Sequence, residues 1–282
     1  MGRYLQAEFY KLFHRNYARL ILLAIPLLVV CYLAIMVSVN LRRTYDPWTF
    51  HGVMALSSEL LPLGFLATLI VCDLVFAGQY RRGTLKNEVS YGIPRSRTYL
   101  GKLMAQVVTS VVLCVITVAL VVGLSWILFP HEGFPLIDRV PNDQLTARFL
   151  LEFLYELAVA FPLFLGVQAA ACCLFFLFRY DIAAAGALVF LVEFLDDVIV
   201  WFFSVVAPSR AELALAVDRF VDSWLPREVL ARVQLGLDFS AWWRGDPTAA
   251  LESIRQGWLA GVVWFVLFTA IGLAAFRRRE IR

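Results

Sequence analysis

Apolar residues run along the chain in nearly unbroken blocks: Leu20 to Val39, Leu56 to Ala77, Leu103 to Phe129, Phe149 to Phe178, Ile182 to Ala207 and Trp258 to Phe276. Each is about 20 residues or longer, the length of helix that crosses a hydrocarbon core of ~30 Å. The blocks show neither the alternation of a half-buried strand nor the single stripe of a soluble surface helix, as expected of segments with lipid on most sides. They predict an all-α polytopic membrane protein with six transmembrane helices. Blocks three and four exceed the ~20 residues that a span needs and are expected to tilt or to project from the hydrocarbon.

The segments between the blocks have patterns of their own. Over residues 1–19, Leu5, Phe9, Leu12 and Phe13 recur at helical spacing while Arg3, Gln6, Lys11 and His14 take other faces, which predicts a helix lying in the membrane interface. It either anchors the chain alone or also touches a cytoplasmic partner. Residues 78–102 hold a short helical pattern from Thr84 to Ser90, with Leu85 and Val89 four apart and Gly92 and Pro94 closing it. Its charge by itself would suit lipid headgroups equally well. Residues 208–256 form a third long segment, in which Ser209 to Glu212 reads as a capping box and Leu213, Val217, Phe220, Val221 and Trp224 share one face. A second helical piece follows from Pro226 to Gly236, and Asp246-Pro247 reads as cap and first turn of the helix entering block six. With Trp224, Trp242 and Trp243 beside it, this segment is expected on the outer membrane surface, and the whole of 1–282 reads as one transmembrane domain.

Composition narrows the class. Of 282 residues 61% are hydrophobic and 17% charged, against roughly 45–50% and about 25% in a soluble domain. Soluble enzyme, disordered tail and disulfide scaffold are thereby set aside. The five cysteines all fall inside apolar blocks with no C-x-x-C pair, and read as small hydrophobes. The net charge of +3 says little, but its distribution says more: with the N-terminus inside, 15 of the 25 basic residues and all three lysines lie in cytoplasmic segments. Lys and Arg accumulate on that side, so both termini are expected in the cytoplasm and the chain in the plasma membrane. The first block ends Ser38-Val39-Asn40 with no small-x-small cleavage site, and reads as a retained span.

Acids inside the spans are the chemical anomaly. Glu193, Asp196 and Asp197 fall in block five, Glu193 about 16 Å along it at ~1.5 Å per residue. A charge at mid-bilayer costs ~3 kcal/mol on insertion scales, so the three must face a partner, water or one another. Three readings remain: bonding to neighbouring helices or a lifted helix end, a wet pathway or cation-attracting pocket, and a proton relay. Glu193 and Asp197, four apart, are expected on one face. Glu152 and Glu156 form another such pair near the outer end of block four, where the adjoining loop is expected to solvate them, and Asp73 can pair with Arg81 or Arg82. Gly257-x-x-x-Gly261 and Ala183-x-x-x-Ala187 permit close helix contact. No G-x-x-x-x-G-K-[ST] phosphate loop, no H-E-x-x-H and no G-x-S-x-G elbow occurs, so no catalytic or metal residue is assigned and no nucleic-acid partner is expected.

The run Tyr80-Arg81-Arg82-Gly83-Thr84-Leu85-Lys86-Asn87, with Arg95 and Leu100-Gly101-Lys102 downstream, resembles the loop between the second and third helices of ABC-2-type permeases. The ending Phe276 to Ile281 and the Lys11-Leu12-Phe13 helix are similar to that family's two ends, although Gln79 stands where the family usually has a carboxylate. The resemblance implies the membrane subunit of an ATP-binding-cassette exporter with a type V-like fold, paired with a second copy or a paralogue. It implies two cytoplasmic ATPases that hold ATP and Mg and grip Arg81, Arg82, Gly83, Thr84, Leu85, Lys86 and Asn87 as a coupling helix, and alternating access with cargo crossing between the subunits. Glu193, Asp196 and Asp197 would line the pathway. The alternative is an ion- or proton-coupled secondary transporter that uses those three acids as its relay.

Overall fold

The computed structural model describes residues 2–42, 49–76, 90–131, 142–178, 180–206, 211–234, 242 and 245–278. Among these there is helix and no strand. In chain order the helices are α1 (Gly2–His14), α2 (Asn16–Arg42), α3 (Phe50–Ser58), α4 (Leu63–Phe76), α5 (Arg95–Leu128), α6 (Asn142–Leu177), α7 (Asp181–Val189), α8 (Leu195–Val206), α9 (Ala211–Trp224), α10 (Pro226–Gln234) and α11 (Thr248–Arg278). A π-helical turn, Phe190–Phe194, joins α7 to α8 without a break. Helix is what an apolar chain must form in lipid, since each backbone N–H and C=O has to be satisfied within its own segment.

Among the described residues four helices, α2, α5, α6 and α11, are long and apolar enough to cross a membrane. The bent pair α3 and α4 makes a fifth if it counts as one span. Block two is therefore not a single rod. It starts at Phe50, earlier than its apolar run suggests, with Thr49 capping Gly52 N–H. It breaks at Glu59 to Pro62 and resumes at an angle of 63°. Pro62 has no N–H to donate, and the residue before a proline avoids helical geometry, so the ladder stops there. The hydroxyls of Ser57 and Ser58 donate to the carbonyls of Val53 (2.7 Å) and Ala55 (2.8 Å), which holds the end of α3 together beside the break.

Helix α6 is the spine of the bundle, with α11 packed along most of its length and α4, α5, α7 and α10 against its other sides. Small residues set the closest approach. A Cβ at Gly261 would lie 2.3 Å from the Pro162 carbonyl carbon, and one at Gly257 would lie 2.5 Å from Val159 Cγ1. The small-residue pair in block six is thus a contact between α11 and α6 of the same chain. Helix α2 lies at the edge, packed on α5 and α1 and largely exposed.

Candidate functional site

The residues expected to couple to a motor, Arg81, Arg82, Gly83, Thr84, Leu85, Lys86 and Asn87, lie outside the described residues, as do the proposed partners of Asp73. Asp73 accepts a hydrogen bond from the Tyr17 hydroxyl at 3.2 Å. What the structure does describe is the anchorage downstream of the loop. Residues Arg95 to Lys102 open α5 and are held from two sides.

One side is α1. The Lys102 side chain is fully buried, and its ammonium lies 3.2 Å from Glu8 Oε2, while Lys11 Nζ lies 2.9 Å from Glu8 Oε1. Burial pushes the Glu8 carboxyl up, but the ammonium groups of Lys102 and Lys11 outweigh it and hold it below the usual carboxylate range. Tyr4 lies over Gly101 so closely that a Cβ there would meet its ring at 2.3 Å. The buried face of α1 is therefore Glu8 and Leu12, whereas Phe13 is exposed. The other side is the end of α11. Arg95 donates to the carbonyls of Arg277 (2.7 Å) and Phe276 (3.5 Å), the acceptors that a helix C-terminus leaves open. One turn on, the fully buried Tyr99 donates to the Phe268 carbonyl at 3.4 Å and lies against Gly272.

The acids of block five sit at the other end of the bundle. Glu193 is in the π turn, and Asp196 and Asp197 are in the first turn of α8. Arg227, at the start of α10, reaches both parts of this pair of elements: its guanidinium is 3.7 Å from Glu193 Oε2 and 3.7 Å from Asp196 Oδ2. It also donates to the Glu193 carbonyl at 2.6 Å. The expected Glu193–Asp197 face is not the one formed. A π turn has i→i+5 hydrogen bonds and shifts the register, so Glu193 and Asp196 converge on Arg227 and Asp197 is exposed. Glu228, the next residue of α10, has its carboxyl pushed up to about 7 by burial and by the adjacent Asp196.

Helices α9 and α10 are the two helical pieces expected in residues 208–256, α10 ending at Gln234, and Asp246 caps the start of α11 through Thr248 N–H at 3.1 Å. The hairpin is tied to the spans at further points. Trp264 donates to the Trp224 carbonyl (2.8 Å), Gln256 to the Ser223 carbonyl (2.6 Å) and Gln234 to the Ser58 carbonyl (2.5 Å). It also packs on α6, and Glu156 is 3% exposed rather than solvated. That expectation fails because the end of α3 lies against this part of the helix, with Ser58 and Glu59 beside the Glu156 carboxyl. Glu8 and Arg227 went unassigned in the sequence. Glu8 had a signal, an acid at helical spacing from Leu5 and Leu12 on an otherwise apolar face, and Arg227 had none.

An all-helical bundle of spanning length, with charged residues concentrated at its ends, defines a multi-pass membrane protein. A sequence profile of the ABC-2 family transporter proteins matches residues 4–174, and the chain belongs to that family. The match runs from the clamp on α1 through the whole of α5 and nearly all of α6. Comparison with curated proteins gives no match.

Proposed function

We propose that the chain is the membrane subunit of an ATP-binding-cassette exporter, with six spans and both termini in the cytoplasm of a plasma-membrane protein. The sixth span is α7 to α8, read as one helix through its π turn. Two subunits form the pathway, and two separate ATPases, which hold ATP and Mg, drive it through Arg81 to Asn87. The observation that carries this reading is the anchorage of α5 at Lys102, Tyr99 and Arg95, set within the family match. A push on the preceding loop would pass through a rigid joint into α1, α5 and α11 together, so the helices would tilt as a unit.

Glu193, Asp196 and Asp197 border the outer part of the pathway in this proposal. Arg227 neutralises two of them when the hairpin is seated, so that the hairpin acts as a lid over the exit. Alternating access then couples an inner displacement to release of that latch. The test is co-purification with the ATPase and assay of nucleotide hydrolysis with Gly83 to Asn87 replaced by a Gly-Ser segment of equal length. Loss of transport-coupled hydrolysis with the complex intact is expected. Full-rate transport by the chain alone in liposomes, driven by a proton or ion gradient, would replace this reading with the secondary carrier.

A further inference from the structure

We propose that the junction between the hairpin and block five is a binding site for one proton, held between the Glu228 carboxyl of α10 and the Asp196 carboxylate of α8, which the chain takes up when the hairpin seats and gives up when it lifts. Two elements of the span and one of the hairpin build the site. Glu193 comes from the π turn and Asp196 from the first turn of α8, while Arg227 and Glu228 are consecutive residues at the start of α10.

Asp196 is 8% exposed, so its carboxylate needs donors from the protein. Its Oδ2 lies 3.7 Å from the Arg227 guanidinium, beyond the ~2.7–2.9 Å of a charge-assisted hydrogen bond. Its Oδ1 is buried and accepts from no donor among the described residues. The side chain in hydrogen-bonding contact with it is a second carboxyl, that of Glu228. Two ionised carboxylates cannot satisfy each other, because both only accept. A proton on Glu228 turns it into a donor, and an acid-to-carboxylate bond is among the shorter and stronger kinds. The proton thus supplies what Asp196 lacks.

The count of charges points the same way. Glu193 and Asp196 share the single guanidinium of Arg227, which also donates to the Glu193 carbonyl at 2.6 Å. The charged groups acting on Glu228 itself are Asp196 from the span, Arg227 beside it and Asp222 from α9. Burial and Asp196 push its carboxyl up to about 7, against the lesser pull of Arg227. Seating is what creates this state, since Glu228 travels with the hairpin and Asp196 with the span. Once lifted, Glu228 meets water, returns to its ordinary range near 4.5 and loses the proton to solvent at neutral pH. Release on the outer side rests on the orientation proposed above, whereas the site itself does not.

The full chain in nanodiscs is the sample for the test. An infrared difference spectrum between pH 5.5 and pH 8 should show loss of a protonated-carboxyl C=O band that Glu228→Gln lacks. Asp196→Asn should lack it too, because its amide donates to an already ionised Glu228. Exchange of the α10 amides, corrected for intrinsic rate, should quicken at least about tenfold over the same interval and level off above it, as one proton bound at about 7 seated and 4.5 free requires. Asp196→Asn should cut that change below threefold, while Asp222→Asn should keep it above fivefold. If Asp196→Asn fails to fold, the wild-type and Glu228→Gln spectra decide. A band that persists in Glu228→Gln, or a wild-type spectrum without it, would overturn the proposal. So would an exchange profile in Asp196→Asn as steep as in the wild type, which would leave Glu228 titrating without sharing its proton. Neither nucleotide hydrolysis nor transport enters these measurements, so their failure is distinct from failure of the exporter reading.

Discussion

The Lys102 ammonium is completely buried and lies 3.2 Å from the carboxylate of Glu8, ninety-four positions earlier in the chain. A buried pair of this kind adds little net stability, because desolvation offsets attraction, but breaking it by removing one member is costly. Its value lies in geometry: it fixes α1 to the first turns of α5.

Glu8→Ala removes the carboxylate that faces the buried Lys102 ammonium and is expected to destabilise the protein by ~3–5 kcal/mol, the cost of breaking a buried ion pair. Glu8→Leu combined with Lys102→Met should recover most of that loss, since it removes both charges at similar volume. Thermal unfolding in detergent measures both. If the double variant is as unstable as the sum of the singles, the pair is not an isolated charge couple.

The same pair predicts a pH dependence. The carboxyl of Glu8 is held below its ordinary range in the folded protein. Its contribution is thus fully present above the unfolded value near 4.5 and is lost as pH falls through the lower folded value. The melting temperature should fall on acidification from about pH 5 towards pH 3, and Glu8→Gln should remove part of that fall. A slope unchanged by Glu8→Gln would mean that other carboxylates carry it.

What was legible in the sequence follows from the solvent. Lipid requires long apolar helices, so the blocks at α2, α5, α6 and α11 could be read directly, and so could the hairpin α9–α10 from its caps and apolar faces. The break in block two was written in Ser57, Ser58, Glu59 and Pro62, polar and helix-stopping residues inside an apolar run. The π turn was not, because the residues of Phe190–Phe194 would serve equally in an α-helix. Nor was the partnership of Arg227 with Glu193, because which arginine reaches block five depends on how a hairpin thirty residues away folds back. The residues expected to couple, Arg81 to Asn87, lie outside the described residues.

Arg227→Lys should not substitute for the arginine. Two nitrogens of one planar group serve two carboxylates and a carbonyl at once, and a single ammonium lacks that fork. The expectation is faster hydrogen exchange across residues 211–234 in Arg227→Met, equivalent to about 1–2 kcal/mol of local opening after allowance for its partial exposure. Arg227→Lys should show at least half of the effect. Unchanged exchange in Arg227→Met would show that the ties from Trp264 and Gln256 hold the hairpin without it.

Glu228 gives the hairpin a pH response of opposite sign. Its carboxyl is pushed up to about 7, so its contribution is fully present below the ordinary 4.5 and is lost as pH rises through 7. Above that value a second negative charge stands beside Asp196, and one arginine has to neutralise more than before. Exchange of the α10 amides, corrected for intrinsic rate, should be faster at pH 8 than at pH 6, and Glu228→Gln should remove the difference. A difference that persists in Glu228→Gln would place the titrating group elsewhere in the hairpin.

Gly261 permits the central contact of the bundle, and a change as small as one methyl tests it. A Cβ there would stand 2.3 Å from the carbonyl carbon and 2.4 Å from the carbonyl oxygen of Pro162, both backbone atoms that no rotamer change can move aside. The neighbouring helix would have to shift, so Gly261→Ala should cost ~1–3 kcal/mol from overpacking, more than the ~0.5–1 kcal/mol that alanine returns in helix propensity. Gly123 in α5 is the control, because nothing lies within 4 Å of the same added atom. Gly123→Ala should leave the melting temperature unchanged or raise it slightly. If Gly261→Ala behaves like the control, α6 and α11 are not packed backbone to backbone, and the spine described above is looser than its geometry states.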